Sequence, residues 1–390
     1  MASGQRTYLD YNATAPLRPE VAEAVARALQ MPGNASSVHA EGRAARAEIE
    51  KARELVAALV GASAKNVIFT SGGTEANNTV LSRSLRRSHA GAEAALLLIG
   101  ATEHPSVLAG HRFPTSAVER IPVDRNGIID LGWLEARLAQ VPGRVLVSIQ
   151  VANSETGVLQ PIAKAAQLVR GRGGITHTDA VQAAGRVSID IMSLGVDVLT
   201  LSAHKLGGPK GVGAIVLGSD QLELSDRLIR GGGQERGYRA GTEDVAGAVG
   251  FGLAAKLASQ GLAEEATRLR HLRSEFEAAL RRIAPDATVF GDGAERLPNT
   301  LAFAIPGLRA ETALIAFDLE GVAVSSGSAC SSGKVKRSHV LGAMGVEPGL
   351  AEGAIRVSFG WKTTREDVNH FASACEKVVA TLYKRRASAA

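Results

Sequence analysis

The stretch VDVLTLSAHKLGGPKGVGA, residues 196–214, joins an apolar strand pattern to a lysine and a turn rich in Gly and Pro. Lys205 follows the strand directly and stands beside His204, an unusual place for a solvated charge. A site that disfavours the ammonium form lowers the pKa of a lysine, and the free amine can then form a Schiff base. In isolation, a surface lysine on a strand–helix loop is the better interpretation, so the rest of the chain decides.

The same apolar strand pattern recurs on both sides of this stretch and alternates with helical periodicity. Apolar positions three and four residues apart predict a helix over about 41–60 that ends at Gly61. Short, wholly apolar strands separated by helices are typical of a mostly parallel sheet covered on both faces, which binds ligands at the carboxyl ends of its strands. The predicted strands lie near 67–69, 95–100, 144–153, 174–180, 196–204 and 212–218.

The pattern changes after about residue 260. The spacing predicts one long helix over 262–283, then strand-like segments, then a last helix that opens at Thr364 with Asp367 as its capping partner. We therefore expect an α/β domain over 16–260 and a smaller α+β domain formed by 1–15 and 261–390.

Composition narrows the class of protein. The 390 residues are 45% hydrophobic and 21% charged, which is close to average and excludes a disordered chain. No apolar run approaches the roughly 18–20 residues of a membrane-spanning helix, and the first ten residues lack a signal-peptide core, so we expect a cytoplasmic protein without a membrane partner. A net charge of +5 and 4% aromatic residues give little support to a nucleic-acid partner.

Two further strand ends carry chemistry. FTSGGTEAN, residues 69–77, places a Gly-Gly turn before a helix, which suits a phosphate, although an ordinary βα turn reads the same. Asp179 ends the strand of GITHTDA, and a carboxylate is the group that pairs with the pyridinium nitrogen of pyridoxal phosphate. A phosphate turn, this carboxylate and Lys205 together predict that cofactor.

The two cysteines have different surroundings. Cys375 occupies the apolar stripe of the last helix, so we interpret it as a core residue. Cys330 lies in SSGSACSSGK, which has no periodicity, and we expect residues of about 325–337 to form a mobile catalytic loop. The nearby cations Lys334, Lys336 and Arg337 would favour the thiolate. An incidental cysteine in a surface loop is the alternative.

The order of these motifs resembles the pyridoxal-phosphate-dependent cysteine desulfurases of the nitrogen-fixation and iron–sulfur-cluster type. The resemblance covers nearly the whole chain, and it implies the transferase fold type I: an α/β large domain with a mostly parallel seven-stranded sheet flanked by helices, plus a smaller α+β domain. The motifs that carry it are YLDYNATAPLRPEV, SSVHAEGRAAR, SGGTEANN, ATEHPSVL, VANSETGVLQPI, HTDAVQAAG, LSAHKLGGPKG, GGGQERGYRAGTED, SSGSACSSG and AIRVSFG.

The resemblance implies roles for residues around the cofactor. Lys205 would hold pyridoxal 5'-phosphate covalently and move the Cα proton, Asp179 would pair with the ring nitrogen, and Gln182 would bind the phenolic oxygen. His104 would lie against the ring and help to move protons, a satisfied structural histidine being the alternative. The remaining cofactor-binding residues that the resemblance implies are Thr74, Glu75, Asn153, Ser202 and His204, together with Thr242, which would reach the phosphate of a neighbouring subunit.

The substrate site is implied in the same way. Arg356 in AIRVSFG would clamp the substrate carboxylate, with Asn12 and Asn153 beside it, whereas an internal ion pair is the alternative for this arginine. Two positions depart from the commonest spelling of the family, Ser154 and Asp244, where asparagine is usual. Neither change removes a catalytic group, but Asp244 puts a negative charge near Thr242.

The implied reaction converts L-cysteine to L-alanine and leaves its sulfur as a persulfide on Cys330. The implied partners are a second copy of the chain in a homodimer and an iron–sulfur scaffold or another sulfur acceptor, with Cys330 as a transient metal ligand shared with that scaffold. A selenocysteine lyase or an aminotransferase would share Lys205 and Asp179, but an aminotransferase has no need of the cysteine loop. A nucleotide-binding module would have no use for Lys205, and one exposed cysteine cannot by itself hold a cluster.

Overall fold

The computed structural model describes residues 6–87, 92–327 and 337–387, with side chains through residue 381. The strands are β1 (Thr7–Tyr8), β2 (Val67–Thr70), β3 (Leu85–Arg87), β4 (Leu96–Gly100), β5 (Val118–Ile121), β6 (Val145–Ser148), β7 (Ile175–Asp179), β8 (Val198–Ser202), β9 (Gly213–Leu217), β10 (Leu222–Leu224), β11 (Thr288–Val289), β12 (Thr300–Ala304), β13 (Val322–Ala323), β14 (Ser325–Ser326) and β15 (Ile355–Ser358). The helices are α1 (Pro19–Leu29), α2 (Ala40–Leu59), α3 (Gly73–Val80), α4 (Pro105–Leu108), α5 (Leu131–Gln140), α6 (Ile162–Gly171), α7 (Ile191–Leu194), α8 (Val245–Ser259), α9 (Leu262–Ile283), α10 (Ala310–Leu319), α11 (His339–Ala343), α12 (Pro348–Ala351) and α13 (Arg365–Ala387).

A seven-stranded sheet forms the centre of the larger unit, in the order β2-β9-β8-β7-β6-β4-β5. The run from β8 to β5 is parallel throughout, whereas β9 is antiparallel to both of its neighbours. The predicted mostly parallel sheet is therefore confirmed. β5 did not stand out from the sequence.

Helices cover both faces of this sheet, as the apolar strand pattern predicts. Leu96 and Leu98 of β4 belong to one hydrophobic cluster, with Phe251 of α8. Leu97 and Ile99, which alternate with them, belong to a second cluster on the other face. A parallel sheet buried on both sides presents its ligand site at the ends of its strands.

A second unit contains a four-stranded antiparallel sheet, in the order β11-β12-β15-β14. Its core includes Phe276 of α9 and Phe371 of α13, whose rings meet edge to face with centroids 5.3 Å apart. Cys375 packs in the same core, and burial raises the pKa of its thiol to about 12, so its prediction as a core residue is confirmed. The predicted cap is present too, because Asp367 accepts a hydrogen bond from the backbone of Thr364 at 2.9 Å.

The amino-terminal segment joins the two units. β1 pairs in parallel with β13, and Leu9 packs in the core of the second unit. A few residues later, the backbone of Ala15 donates to the carbonyl of His204 at 2.9 Å. The segment therefore touches both units, and the domain boundaries at residues 15 and 260 stay a prediction.

Within the described residues, no single helix is long and apolar enough to cross a membrane; α8 and α9, bent by 74°, pass that test only as a pair. The same residues hold no group of three or more His, Cys, Asp or Glu side chains placed to bind a metal. Cys330, the predicted transient metal ligand, lies outside the described part of the chain.

Candidate active site

A cavity of about 340 Å³ opens where β7 and β8 end, which is the edge that the strand pattern indicates. Asp179 is the last residue of β7 and Ser202 the last of β8, so the sheet itself brings them together. The cavity is lined by Ala13, Gly73, Thr74, Asn77, His104, Ser106, Gln150, Ala152, Ser154, Asp179, Val181, Gln182, Ser202, His204 and Lys205.

Asp179 is held by hydrogen-bond donors on both carboxylate oxygens. Asn77 Nδ2 donates to Oδ2 at 2.8 Å, and the backbone of Val181 donates to Oδ1 at 2.9 Å. The amide of Asn77 is itself fixed, because Thr200 Oγ1 donates to its Oδ1 at 2.6 Å. Both oxygens therefore have partners that hold the carboxylate in one orientation at the end of β7.

His104 lines the same cavity as a neutral imidazole. The backbone of Ser106 donates to its Nδ1 at 3.1 Å, so the ring carries its proton on Nε2. Burial lowers the pKa of His104, with the charges of Lys205 and His339 acting in the same direction and Asp179 opposing them. A neutral ring can lie against a flat aromatic ligand without adding charge.

The Gly-Gly turn forms a concave cradle at the amino end of α3. A Cβ on Gly213 would lie 2.5 Å from the backbone carbon of Gly72, so β9 can approach the turn only without a side chain there. The first N–H groups of a helix have no partner within it, and Thr74 and Ser202 add hydroxyl donors to the same wall. These groups match the oxygens of a phosphate.

Lys205 points its amine at the amino-terminal segment. Its Nζ donates to the carbonyl oxygens of Asn12 and, at 2.8 Å, of Ala13. Beside it, burial lowers the pKa of His204 to about 4, with help from the charges of Lys205, Lys210 and Arg186. The neutral His204 therefore does not compete with Lys205 for an anion.

Gln182 also faces the amino-terminal segment. Its Nε2 donates to the carbonyl of Asn12 at 3.0 Å, and its Oε1 accepts from Arg186 at 2.6 Å. Asn12 therefore shapes the cavity through its backbone. Its own amide group donates to Thr300 Oγ1 at 2.9 Å and to the carbonyl of Ser154 at 3.1 Å.

Arg356 does not line the cavity but lies behind Ser154, which does, and it is 1% exposed. It donates to the carbonyl of Ser154 at 3.0 Å and to the carboxylate of Asp10 at 2.8 Å. The internal ion pair that the sequence left as the alternative is thus present. Its Nε, however, is buried without a hydrogen-bond partner among the described residues.

Among the described residues, five of the predicted site residues do not line this cavity: Asn12 and Arg356, as above, and Asn153, Glu75 and Thr242. The side chain of Asn153 is used within its own loop, where Oδ1 accepts from the backbones of Glu155 and Thr156 at 2.9 Å. Glu75 turns away, accepting from Arg239 Nε at 3.2 Å. Thr242 is exposed on the surface, and Cys330 lies outside the described residues.

Sequence reasoning missed several polar residues that complete the wall. Asn77 stands three residues after Thr74 on α3, a spacing that places both on one helix face and was the available signal. Ser106, Gln150 and Ser154 come from separate loops and carried no such signal. Behind the wall, burial and the charge of Asp179 raise the pKa of Glu103 well above its usual range, against the hydrogen bond from the backbone of Gln150.

The fold and this site belong to one class of enzyme. The model of the aminotransferase class-V family matches residues 7–371, so the chain belongs to that family, whose enzymes depend on pyridoxal phosphate.

Within the family, curated relatives of this chain are cysteine desulfurases. The cysteine desulfurase IscS of Dictyoglomus turgidum is 40% identical over 387 residues, covering 97% of this chain and 95% of the relative. The cysteine desulfurase NifS of Azotobacter vinelandii is 38% identical, covering 96% and 93%. Among solved structures, the NifS-like protein of Rickettsia africae superposes with a TM-score of 0.87 at 35% identity, covering 96% of this chain and 100% of the other.

Proposed function

We propose that this chain is a cysteine desulfurase that takes the sulfur of L-cysteine onto Cys330 and releases L-alanine. The observation that carries the proposal is the single cavity that brings Lys205, Asp179 and His104 to the phosphate cradle at α3. The full-length similarity to curated cysteine desulfurases supports the choice of reaction within the family.

The donor set of the cavity fits pyridoxal phosphate. Asp179 would hold the ring nitrogen, His104 would lie against the ring, and Gln182 would bind its phenolic oxygen. The hydroxyls of Thr74 and Ser202, His204 and the amino end of α3 would hold the phosphate. When bound, this cofactor supplies an electron sink for the charge that develops on Cα of the substrate.

Lys205 would anchor the cofactor covalently and then move a proton. Two backbone carbonyls accept hydrogen bonds from its amine and hold Nζ at the cavity. A lysine fixed in this way can take a proton from Cα and return one to the product without leaving its place.

Arg356 would bind the substrate carboxylate. Its guanidinium is fixed by Ser154 and Asp10, and its unpaired Nε offers a donor for a further anion. A guanidinium fork that is already oriented loses little freedom on binding a carboxylate. The substrate would thus be held behind the cavity wall while its Cα faces Lys205.

The sulfur-transfer step balances without an external oxidant. The thiolate of Cys330 attacks the substrate sulfur, so that one carbon–sulfur bond breaks and one sulfur–sulfur bond forms. The electron pair of the broken bond passes to carbon, which gains a proton to give the methyl group of alanine, and both sulfur atoms end one step more oxidised. The persulfide would then pass to an acceptor for iron–sulfur cluster assembly, with Cys330 as a transient cluster ligand.

We also propose a homodimer with shared sites. Thr242 is exposed and away from the cavity of its own chain, so it is available to reach the cofactor phosphate of a second copy. Two such contacts related by a two-fold axis would make each site depend on both chains.

The lysine assignment can be tested by trapping the cofactor on the protein. Borohydride reduction of the purified holoenzyme should attach the cofactor stably to the peptide that contains Lys205, which mass spectrometry detects. The unreduced holoenzyme should form alanine from L-cysteine. Lys205→Ala should carry no covalent cofactor, whereas Lys210→Ala, an exposed lysine five residues further along, should be labelled as in the wild type. Covalent cofactor in Lys205→Ala would overturn the assignment.

A further inference from the structure

Glu155 is a buried carboxyl that the proposed chemistry does not use. It is 6% exposed, and it lies outside the wall of the cavity. Its backbone is fixed by Asn153, whose Oδ1 accepts the N–H of Glu155 at 2.9 Å. The backbone from which the Glu155 side chain extends is therefore fixed beside the site.

One oxygen of this carboxyl touches two separate parts of the chain. Ser338 Oγ donates to Glu155 Oε2 at 2.6 Å, and the same hydroxyl caps α11 by accepting from the backbone of Leu341 at 3.0 Å. Gly327 approaches from the other side, where a Cβ would lie only 2.8 Å from Oε2. Residue 327 therefore packs against the carboxylate, and a side chain there would have to displace Oε2.

Gly327 and Ser338 flank Cys330 in the sequence. Gly327 comes three residues before the cysteine and Ser338 eight residues after it, so the positions of these two residues limit where the thiol can reach. Gly327 follows β14, in which Ser325 lies opposite Arg356 of β15. Ser338 precedes His339, whose Nε2 is 2.9 Å from the carbonyl of Glu103.

Stability alone does not explain an acid at this position. Burial raises the pKa of Glu155 to about 7, although the Ser338 hydroxyl and the charge of Arg356 both favour the ionised form. A buried charge is costly, and an amide of the same shape would satisfy Ser338 without that cost. On grounds of stability, this position therefore favours an amide over an acid.

We propose that Glu155 is a positioning residue for sulfur transfer, whose carboxylate holds Gly327 and Ser338 at fixed points beside Arg356 so that Cys330 meets the substrate sulfur. The inference rests on the proposed function, since it assigns the transfer step to Cys330. It adds a residue that acts through the two ends of the Cys330 segment and that touches neither substrate nor cofactor.

The test separates cofactor chemistry from sulfur transfer in the holoenzyme at about pH 8, where the carboxyl is ionised. Glu155→Gln should keep the visible spectrum of bound cofactor and the change in that spectrum when L-cysteine is added. In a single turnover, the rate of persulfide formation on Cys330 should fall roughly tenfold or more below that of the wild type, because a small misplacement of a reacting group has a large effect on rate. The rate of Cys330 alkylation by iodoacetamide, followed by peptide mass spectrometry, should change with it.

Glu347→Gln is the matched control, since Glu347 is an exposed carboxylate that caps α12 by accepting from Leu350 at 3.0 Å. It should transfer sulfur at the wild-type rate. Ser338→Ala provides a second variant, which should also slow sulfur transfer. The double variant with Glu155→Gln should be no slower than the slower of the two single variants.

Transfer within about twofold of the wild type in both Glu155→Gln and Ser338→Ala would overturn the inference. So would loss of the cysteine-induced spectral change, which would place Glu155 in substrate binding through Arg356. A wild-type protein that forms no persulfide from L-cysteine would instead contradict the proposed desulfurase activity itself.

Discussion

At the scale of single residues, the two cysteines are expected to behave in opposite ways. Cys330→Ala should bind cofactor with the wild-type spectrum and lose alanine formation, because no thiolate remains to take the sulfur. Cys375→Ala should keep alanine formation and lose stability, because it leaves a small cavity in the core around Phe371. Alanine assays and thermal melting of both variants check this pair. Loss of alanine formation in Cys375→Ala alone would reverse the assignment.

Glu155 also predicts a dependence of stability on pH. Its pKa of about 7 in the folded chain lies above the ordinary value of 4.5, so the folded state keeps a proton that the unfolded state has released. The stability that this group contributes is therefore complete below about pH 4.5 and is lost as the pH rises to about 7. Glu155→Gln should remove this loss and become the more stable protein at about pH 8, by up to about 3 kcal/mol.

Denaturant titrations of Glu155→Gln and the wild type at about pH 5 and about pH 8 measure this difference. Glu347→Gln should instead lose stability relative to the wild type as the pH rises, because hydrogen bonds from the backbones of Gly349 and Leu350 lower the pKa of Glu347. A Glu155→Gln difference that stays constant between the two pH values would contradict the raised pKa. A variant that gains stability and loses sulfur transfer would show that this carboxyl is kept for function.

At the scale of secondary-structure elements, Asp244 has a structural role that was not predicted from the sequence. It begins α8, and its carboxylate accepts from the backbone of Gly247 at 2.8 Å. Both Asp and Asn serve well as N-caps, which accounts for Asp at a position where Asn is usual in the family. The negative charge is thus directed at the helix rather than at Thr242.

The cap predicts a graded effect of substitution. Asp244→Ala should lower the free energy of unfolding by about 1 kcal/mol, whereas Asp244→Asn should stay close to the wild type. Denaturant titration of both variants measures this. An equal loss in the two variants would show that the charge matters and the cap does not.

Most elements could be predicted because each had a local signal. The central strands β4, β6, β8 and β9 are mostly apolar, and the start of α13 is marked by a capping pair. β5 escaped because it is the edge strand of the sheet and carries Glu119, which pairs with Arg137 of α5 at 2.6 Å. Half-exposed edge strands lack the continuous apolar run by which buried strands are recognised.

The candidate site divides in the same way. Thr74, Asp179, Ser202, His204 and Lys205 lie at strand ends or within a few residues of them, so the strand pattern alone brings them to one edge. Asn77, Asp10 and Glu155 take part through contacts between distant segments, and no local pattern encodes such contacts. Asn153 carries the expected residue type, but its amide is used by its own turn.

At the scale of the whole molecule, cofactor binding should stabilise the fold. The cavity is formed by residues of several strands and by the amino-terminal segment, so a ligand that binds it binds the folded state only. Removal of pyridoxal phosphate should lower the melting temperature, and adding it back should raise the melting temperature with increasing ligand concentration. Calorimetry of both forms measures the shift. Equal melting temperatures would show that the cofactor does not bind in this cavity.

The amino-terminal segment has a consequence for how the protein is made. Thr7 pairs with Val322, and Asp10 pairs with Arg356 and bridges to Ser358, so this segment finds its partners in strands that are made much later, β13 and β15. The backbone carbonyls of Asn12 and Ala13, which hold the amine of Lys205, reach their places only after those pairings form. Contacts of such long sequence separation form late in folding. We therefore expect the cavity to accept pyridoxal phosphate only once the chain as far as Ser358 has been made and folded.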